Sequence, residues 1–455
     1  MTGVRAAGII FLLFGGTAIL AVSSRAGSPC HMMEQVKDDL MTGNSAIADQ
    51  AKPSVLYQCH LGLTQKSHLA PFAGYLMPLW YSSISAEHRA VREAAGIFDC
   101  THMGILQISG PDAEHFLNII ATNDASTLQQ GQAQYSYILD AQGRVLDDVI
   151  IYRRSTETFM VVVNAANEMK IKAYLADLQS GRAVIDEKDS GRTPPQRVEI
   201  RDLHNLNGNG EYRVDIAVQG PTSADLLVSQ TLDKLRPVLQ NLKSFTFVEG
   251  PIAGVNCIIS RTGYTGAKAG FELFVHPAEA TVLWRKLLDC GKAFGLVPCG
   301  LGARDSLRIE AGLPLYGHEL AGPFDISPFE AGYGWAVKLD KKFFIGKEVV
   351  AERAGNFDMQ VARIELPGQR GVRPVRQNDC VVDTDDECVG WVLSCAKVDD
   401  TQIALVYAKK GAAAEGGELS VHYAPRKAGH AERARLGEKV DSDIQGKVLS
   451  RFARF

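Results

Sequence analysis

The chain lacks features that mark several common classes of protein. No C-x-x-C pair occurs among its nine cysteines, and their number is odd. This pattern favours reduced, mostly buried thiols over a disulfide framework or a zinc site. The sequence also lacks a surplus of basic residues, because 48 Lys and Arg stand against 52 Asp and Glu, for a formal net charge of -4. A small molecule or a protein is therefore a better expected partner than nucleic acid.

Motifs of common nucleotide and catalytic sites are also missing. Residues 300–304, GLGAR, do not have the G-x-G-x-x-G spacing of a dinucleotide site, and no P-loop, nucleophile elbow or H-E-x-x-H motif occurs. His102 stands alone in THMG, where a satisfied structural histidine is the expected role. We predict no metal site, so any chemistry must depend on other polar residues.

The N-terminus is the part with a long apolar run. Residues 6–22, AAGIIFLLFGGTAILAV, contain no charged side chain, which suits a membrane anchor or a signal peptide. Alternatively, the true start lies downstream, at Met32, Met33 or Met41. We treat residues 1–53 as an N-terminal extension that is separate from the fold.

Residues 54–354 combine strand and helix patterns. In SISAEHRAVREAAG, Ser85 is a candidate N-cap and Gly96 a candidate helix stop. A strand, a proline suited to the first helical turn and an amphipathic helix then recur three times. The three prolines are Pro111, Pro221 and Pro277. Repeated modules of this kind predict an α+β fold.

Other segments complete the predicted architecture. GQAQYSYILD and VLDDVIIYRR flank AQG and predict a hairpin, and FMVVVNAANE predicts a strand that opens into a helix. Residues 184–212 are polar and rich in turn formers, which suits a long surface insertion. Beyond residue 354 only short strand patterns remain, so we expect residues 355–455 to form an all-β, barrel-like domain.

Two adjacent acids in VLDDVIIYRR enter this apolar strand. Asp147 and Asp148 point to opposite faces of any strand they share, and Asp148 lies on the face of Ile150 and Tyr152. One interpretation is that both acids cap turn amides at the hairpin mouth. The other is that one carboxylate beside an aromatic ring orients an amine or handles a proton.

Further charged residues fall in two other motifs. After the glycine-rich RTGYTGAKAG, Glu272 enters an apolar strand, where an unpaired charge is costly. Its partner is a core arginine, backbone amides, or a ligand with adjacent N–H donors that a carboxylate grips with two parallel bonds. In GLGARDSLRIEAGLPLYGHEL, Arg304 and Arg308 share a helical face, either as a solvated stripe or as functional residues.

These motifs together resemble a known family, the aminomethyltransferase (T-protein) of the glycine cleavage system. The resemblance runs in order from about residue 55 to 350. It rests on LAPFAGYLMPLWY, AVREAAGIFDCTHMG, ATND, LDDVIIYR, VVVNAAN, AVQGP, SRTGYTG, FEL, GLGARDSLRIEAGLPLYGHEL and SPFEAGYGWAVKLDK.

The resemblance implies a three-domain cloverleaf of related modules around a tetrahydrofolate site, with two intertwined α+β domains in residues 54–354. It implies transfer of the aminomethyl group from the lipoyl arm of H-protein to tetrahydrofolate, with release of ammonia and formation of 5,10-methylenetetrahydrofolate. The family is found in the bacterial cytoplasm or in the mitochondrial matrix, and we expect one of these locations.

The resemblance also implies roles for individual residues. The essential aspartate of the family matches Asp148, so Asp147 is expected to face away as a peripheral turn or cap residue. The cofactor-binding candidates are the pterin-gripping Glu272, the folate-contacting Arg304, and Tyr135, Asn164, Tyr264 and Tyr152.

The sequence departs from the family pattern at several positions. The family's T-G-E-D-G is here TGAKAG, one residue longer and basic at Lys268. The usual tyrosine near the C-terminus corresponds to Ala453, and the usual T-S-G bulge to LSC, which ends at Cys395. We expect these changes to alter contacts near the folate.

Two alternative activities remain open, since one fold hosts several. A related tetrahydrofolate-dependent demethylase would have nearly the same core pattern. A non-enzymatic, folate-binding iron-sulphur maturation factor would carry K-G-C-Y-x-G-Q-E, whereas this chain has KKFFIGKE, with Phe343 in place of the cysteine.

The C-terminal stretch is locally basic within an acidic chain. APRKAGHAERARLGEKV includes Arg426, Lys427 and Arg433, and the chain ends in RFARF. We hypothesise that this region helps to dock an acidic lipoyl carrier.

Overall fold

The computed structural model describes residues 51–189, 191–204, 210–427, 430–431, 433–453 and 455. The apolar run at residues 6–22 lies outside these residues, so its role stays a prediction. Within the described residues, every helix is too short or too polar to cross a membrane.

The described residues form strands and helices that we number in chain order. The strands are β1 (Lys52–Pro53), β2 (Leu69–Phe72), β3 (Tyr75–Pro78), β4 (Ala95–Asp99), β5 (Gly104–Ser109), β6 (Ala133–Leu139), β7 (Val145–Arg153), β8 (Thr158–Val163), β9 (Glu199–Asp202), β10 (Val214–Gln219), β11 (Phe247–Ile252), β12 (Val255–Ser260), β13 (Gly270–Val275), β14 (Leu296–Cys299), β15 (Met359–Pro367), β16 (Cys380–Val382), β17 (Cys388–Val398), β18 (Thr401–Lys409), β19 (Glu418–His422), β20 (Arg426–Lys427), β21 (His430–Ala431) and β22 (Ile444–Leu449). The α-helices are α1 (Tyr57–Leu61), α2 (Ile84–Glu93), α3 (Ala113–Ile120), α4 (Glu168–Gln179), α5 (Ser223–Ser229), α6 (Arg236–Gln240), α7 (Pro277–Gly291), α8 (Leu301–Ala311) and α9 (Lys347–Arg353). Short 3-10 helices lie at Lys66–His68, Ala125–Thr127, Ala165–Asn167, Lys292–Phe294, Gly322–Phe324 and Gly334–Ala336.

A five-stranded sheet carries the adjacent acids. Its strand order is β6-β7-β8-β5-β9. On one face, Val149 and Ile151 of β7 pack with Phe116 of α3 and Ile171 of α4. Because side chains alternate along a strand, Asp148 lies on the opposite face of the sheet.

A six-stranded sheet carries Glu272. Its strand order is β11-β12-β13-β10-β4-β14. Leu273 and Val275 of β13 pack against Trp284 of α7, so alternation places Glu272 on the uncovered face. That face meets the five-stranded sheet, where the Tyr152 ring lies 5.4 Å from the Phe274 ring. The two sheets therefore pack face to face, with Asp148 and Glu272 on their inner faces.

A closed barrel forms the C-terminal part of the chain, in the order β15-β18-β17-β16-β19-β22. It contacts the rest of the protein through α8, because Arg363 Nη1 of β15 donates to the Glu310 carbonyl oxygen at 2.5 Å. The architecture confirms the predicted α+β fold with a C-terminal β-barrel.

The predicted modules are present, although the prolines differ in their positions. Three strands are each followed by a helix, as predicted: β5 by α3, β10 by α5 and β13 by α7. The strands β6 and β7 form the predicted hairpin. Pro277 is the first residue of α7, as predicted. Pro111 and Pro221 instead lie in turns, two residues before their helices.

The predicted ends of α2 are wrong. Ser83, not Ser85, is the N-cap, since its hydroxyl accepts from the Ala86 N–H at 3.2 Å. The helix ends at Glu93, and Gly96 lies inside β4. A Cβ at Gly96 would lie 2.6 Å from Cys299 Sγ, so this glycine permits close packing and does not terminate the helix.

The segment 184–212 was predicted to be a long surface insertion, and this prediction is only partly correct. It contains β9, which pairs antiparallel with β5 at the edge of the five-stranded sheet. Leu203, just beyond β9, is fully buried. Tertiary pairing therefore recruits part of a polar segment whose sequence has little strand character.

Candidate functional site

The adjacent acids of β7 point to opposite faces and have separate partners. Asp148 lies between the sheets and accepts hydrogen bonds from Tyr135 Oη at 3.0 Å and Asn164 Nδ2 at 2.8 Å. Asp147 lies towards α4 and accepts from the Asn164 backbone N–H at 3.0 Å and from Asn167 Nδ2 at 2.6 Å. The interpretation that both acids cap the hairpin turn is therefore wrong.

Asp147 is also not the peripheral residue that we expected. Its side chain is fully buried. Asn164 Nδ2 donates to Asp147 Oδ1 at 2.9 Å as well as to Asp148, so one amide joins the two carboxylates. A change at Asp147 is thus expected to affect the position of Asp148 through Asn164.

The electrostatics of the acid pair favour a retained proton. Burial raises the pKa of Asp148. Burial and the neighbouring Asp148 charge raise the pKa of Asp147 to about 8, against the effect of its amide donors. Two buried acids of like charge resist joint ionisation. The pair can therefore exchange a proton with a bound amine near neutral pH.

Aromatic rings form the wall beside Asp148. The Tyr135 ring lies 5.4 Å from the Tyr333 ring and 6.0 Å from the Trp335 ring. Trp335 is 54% exposed, whereas tryptophan side chains are on average largely buried. These rings offer a flat, apolar surface against which a planar ligand can pack.

The glycine-rich loop before β13 positions Glu272. Gln219 Nε2 donates to the carbonyl oxygens of Thr262 and Phe271, both at 3.2 Å. A Cβ at Gly263 or Gly270 would lie 2.0 or 2.4 Å from Gln219 Oε1. Only glycine permits this approach, which closes the loop over the start of the strand.

Glu272 is a buried carboxylate whose protein partners are hydroxyl groups. Thr262 Oγ1 and Tyr152 Oη both donate to Oε2, the latter at 3.4 Å. In the described part of the chain Oε1 receives no hydrogen bond that competes with a ligand. Burial raises the pKa of this carboxyl group, while Thr262 and the Arg304 charge lower it. Among the described residues, neither an arginine nor a backbone amide, which were two of the alternatives for its partner, donates a hydrogen bond to the Glu272 carboxylate.

Tyr152 does not lie where a cofactor-binding residue would. Its side chain is fully buried, and its hydroxyl contacts Thr262 Oγ1 at 3.4 Å and Glu272. Tyr152 is absent from the cavity lining and donates to Glu272, so its predicted direct contact with a cofactor stays a prediction, and the structure favours a role through Glu272.

Arg304 and Arg308 do not form a solvated stripe. Arg308 is fully buried and pairs with Asp305 at 2.8 Å and Glu319 at 2.6 Å. Arg304 lies with its guanidinium 5.0 Å from the centre of the Tyr264 ring. Its Nη1 atom is buried without a hydrogen-bond partner among the described residues, so Arg304 is available to a ligand.

One cavity of about 440 Å³ joins these groups. Its lining includes six of the seven predicted site residues: Tyr135, Asp148, Asn164, Tyr264, Glu272 and Arg304. Asp148 and the Glu272–Arg304 region contribute separate polar groups to this one space. Such a cavity suits a small organic ligand whose polar groups can meet these side chains.

Sequence reasoning missed several cavity residues. His102 lines the cavity, and its buried Nδ1 has no hydrogen-bond partner among the described residues, so it is not the satisfied histidine that we expected. Burial lowers its pKa to about 4. Asp215, Tyr333 and Trp335 also line the cavity. Asp215 sits in an apolar strand, and this burial signal was available in the sequence.

The departures from the family pattern lie close to the cavity. Lys268 of TGAKAG is exposed and lines the cavity. The Ala453 N–H donates to the Ala311 carbonyl oxygen at 3.1 Å, and its methyl side chain offers no polar contact. The LSC segment does form a β-bulge, because the register between β17 and β18 shifts between Val392 and Ser394.

Comparison with known proteins identifies the family. Residues 56–341 match the model described as the GCVT N-terminal domain. The aminomethyltransferase of Halalkalibacterium halodurans is 44% identical over 283 residues, which cover 62% of this chain and 70% of that protein. The aminomethyltransferase of Desulforamulus reducens is 39% identical over 346 residues, which cover 76% of this chain and 86% of that protein.

A solved structure supports the same assignment. The glycine cleavage system aminomethyltransferase T from Bartonella henselae is 28% identical, with a TM-score of 0.69 over 88% of this chain and 97% of that one. This match includes the C-terminal barrel, which lies beyond the residues of the family model. The chain belongs to the aminomethyltransferase (T-protein) family of the glycine cleavage system.

Proposed function

We propose that this aminomethyltransferase of the glycine cleavage system binds tetrahydrofolate in the cavity between its two sheets. The aminomethyl group comes from the lipoyl arm of H-protein, ammonia is released, and 5,10-methylenetetrahydrofolate is formed. The observation that carries this proposal is the single cavity of about 440 Å³ that joins Asp148 to Glu272 and Arg304.

The polar groups at the Glu272 end fit the pterin ring. Its amino group and neighbouring ring N–H are paired donors, and Glu272 Oε1 and Oε2 supply the matching acceptors. Arg304 Nη1, which lacks a partner among the described residues, supplies a donor for a ring acceptor. A single bound pterin would provide hydrogen-bond partners both for Arg304 Nη1 and for Glu272 Oε1.

The polar groups at the other end fit the reacting amines. When bound, tetrahydrofolate supplies the two amine nitrogens that receive the carbon. Asp148 is fixed by Tyr135 and Asn164, so its carboxyl group can orient these nitrogens and accept a proton from them. Tyr135, Tyr333 and Trp335 shield this region with their rings.

We further propose that the basic C-terminal region docks the carrier. Arg433 is exposed and its guanidinium lies 5.1 Å from the centre of the Phe324 ring, so a charged group is held at the surface of the barrel. The side chains of Arg426 and Lys427 lie outside the described residues. An acidic carrier would be attracted to this region in a salt-sensitive way.

The domain division and the cellular location remain part of this proposal. We divide the chain into the extension at 1–53, the folate-binding region at 54–354 and the barrel domain at 355–455. The eight cysteines in the described residues form no disulfide with one another, which suits a reducing compartment, the bacterial cytoplasm or the mitochondrial matrix.

The test is an assay of methylenetetrahydrofolate formation by the purified chain with aminomethyl-loaded H-protein and tetrahydrofolate. Turnover with this donor supports the proposal. Turnover only with another methylamine or sulfonium donor would assign the chain to the related demethylases. The maturation-factor alternative is not favoured, because Phe343 stacks on Arg192 at 3.9 Å where that factor would carry its cysteine.

A further inference from the structure

Asp215 is a buried acid in the cavity wall with an unpaired oxygen. It lies on β10, between β13 and β4 in the six-stranded sheet, and it is 3% exposed. Its side chain lines the cavity, and its Oδ1 atom has no hydrogen-bond partner among the described residues. Native proteins rarely leave such a group unsatisfied, so its position requires a reason.

Asp215 belongs to a group of unsatisfied polar atoms in the cavity wall. Arg304 Nη1 and His102 Nδ1 are also buried and without hydrogen-bond partners in the described chain. All three side chains line the same cavity. Three unpaired polar atoms around one space indicate a site built for a polar ligand.

The register of the sheet places Asp215 beside Glu272. In the antiparallel pair, Ala217 lies opposite Glu272 and Asp215 lies opposite Phe274. Asp215 and Glu272 therefore share one face as diagonal neighbours, with Cα atoms about 7–8 Å apart. Ala217, which lies opposite Glu272 and on the same face as Asp215, has a small side chain.

Their surroundings give the two acids different roles. Burial raises the pKa of Asp215 well above its usual range, and the charges of Glu272 and Asp99 raise it further, while Arg304 lowers it. A protonated Asp215 is a hydrogen-bond donor, whereas Glu272 accepts from Thr262 and Tyr152 and so presents acceptors.

The ligand that fits has a complementary edge. A 2-amino-4-oxopyrimidine ring presents an amino group and a ring N–H side by side, with an acceptor atom flanking each. When Glu272 binds the amino group and the ring N–H, a protein donor beside the Glu272 carboxylate can therefore hydrogen-bond to one of the flanking ring acceptors. We infer that Asp215 is a further ligand-binding residue, whose carboxyl O–H donates to a ring acceptor beside the donor pair held by Glu272. This inference rests on the proposed tetrahydrofolate site and deepens it.

Substitutions at Asp215 in the full chain test the inference. Asp215→Leu keeps the approximate size of the side chain and removes the donor, while Asp215→Asn keeps a donor. We expect Asp215→Leu to weaken tetrahydrofolate binding by roughly ten- to a hundredfold, the scale of a lost buried hydrogen bond. Its melting temperature should be unchanged or higher, because an unpaired buried polar group is removed. Asp215→Asn should bind within a few-fold of the wild type.

The control is Ile216→Leu, a volume-conserving change on the opposite face of the same strand. It should bind tetrahydrofolate as the wild type does. Binding is measured by calorimetric titration with tetrahydrofolate, and stability by thermal melting without ligand.

Each result decides the inference. Wild-type affinity in Asp215→Leu, or equal losses in the Leu and Asn variants, would overturn it. If Asp215→Leu does not fold, Asp215→Val replaces it, and failure of both to fold would assign Asp215 to sheet stability and overturn the inference. Absence of tetrahydrofolate binding by the wild type would instead refute the proposed function.

Discussion

Replacing Asp148 by asparagine removes a charge from the proposed reaction centre while keeping the local scaffold. The new amide oxygen can still accept from Asn164 Nδ2, which lies 2.8 Å from Asp148 Oδ1. The new amide N–H can donate to Tyr135 Oη, since a hydroxyl group also accepts. Removal of one of two adjacent acids also relieves their repulsion, so the melting temperature should not fall.

The size of the effect follows from the lost chemistry. A positioned acid–base or electrostatic group typically contributes a hundredfold or more to turnover. A hundredfold loss corresponds to about 2.7 kcal/mol of transition-state stabilisation. We therefore expect Asp148→Asn to lower turnover with aminomethyl-loaded H-protein by about a hundredfold or more, with a smaller change in the KM for tetrahydrofolate.

The assay compares kcat and KM with those of a matched variant, Asp140→Asn. Asp140 lies in the turn of the same hairpin, where its Oδ1 accepts from the backbone N–H groups of Gln142 and Arg144 at 3.0 and 2.9 Å. It does not line the cavity, so its variant should remain within a few-fold of wild-type activity. Turnover of Asp148→Asn within a few-fold of the wild type would refute the role given to Asp148.

Four further predictions test other parts of the site. Asp147→Asn should lower the free energy of unfolding by about 1–3 kcal/mol and also lower turnover. The new amide N–H would face the donors of Asn164 and Asn167, and Asn164 would shift away from Asp148. Unchanged stability together with unchanged turnover would contradict the coupling of the two acids through Asn164. The folded-state pKa of Asp147 is raised to about 8, so its titration should lower the free energy of unfolding of the wild type as pH rises from about 4 to about 8. Urea denaturation across this range should show a weaker dependence of that free energy on pH in Asp147→Asn. Glu272→Ala should weaken tetrahydrofolate binding by about 2–4 kcal/mol with the melting temperature retained; lower stability with unchanged affinity would make it a structural residue. Arg433→Glu should slow H-protein-dependent turnover and reduce its salt dependence, whereas the exposed Arg285→Glu should not, and identical salt profiles would count against docking at this region.

The sequence by itself determined the secondary-structure classes and the direction of many side chains. Alternation in VLDDVIIYRR correctly separates Asp147 from Asp148, because the period of a strand is a local property of the backbone. Short strands after residue 354 likewise predict the barrel. Motif resemblance, rather than local physics, selected Asp148 and Glu272 among many acids.

Local signals failed where neighbours in space decide the outcome. The helix stop assigned to Gly96 is wrong, because this glycine instead admits Cys299 from an adjacent strand. β9 forms in a polar segment because the edge of β5 offers it a partner. In both cases the deciding atoms are distant in sequence, so neither propensity nor periodicity contains them.

The tertiary structure also decided the chemical environment of the acids. Asp147 has the sequence character of a turn residue, yet burial and the amides of Asn164 and Asn167 make it part of the site. Asp215 and Glu272 become neighbours only through the register of β10 and β13. The sequence determines which side chains a strand presents on each face. The packing of the two sheets determines how far each acid is desolvated, which charges lie near it and which groups donate to it. Together these effects determine which acids retain a proton.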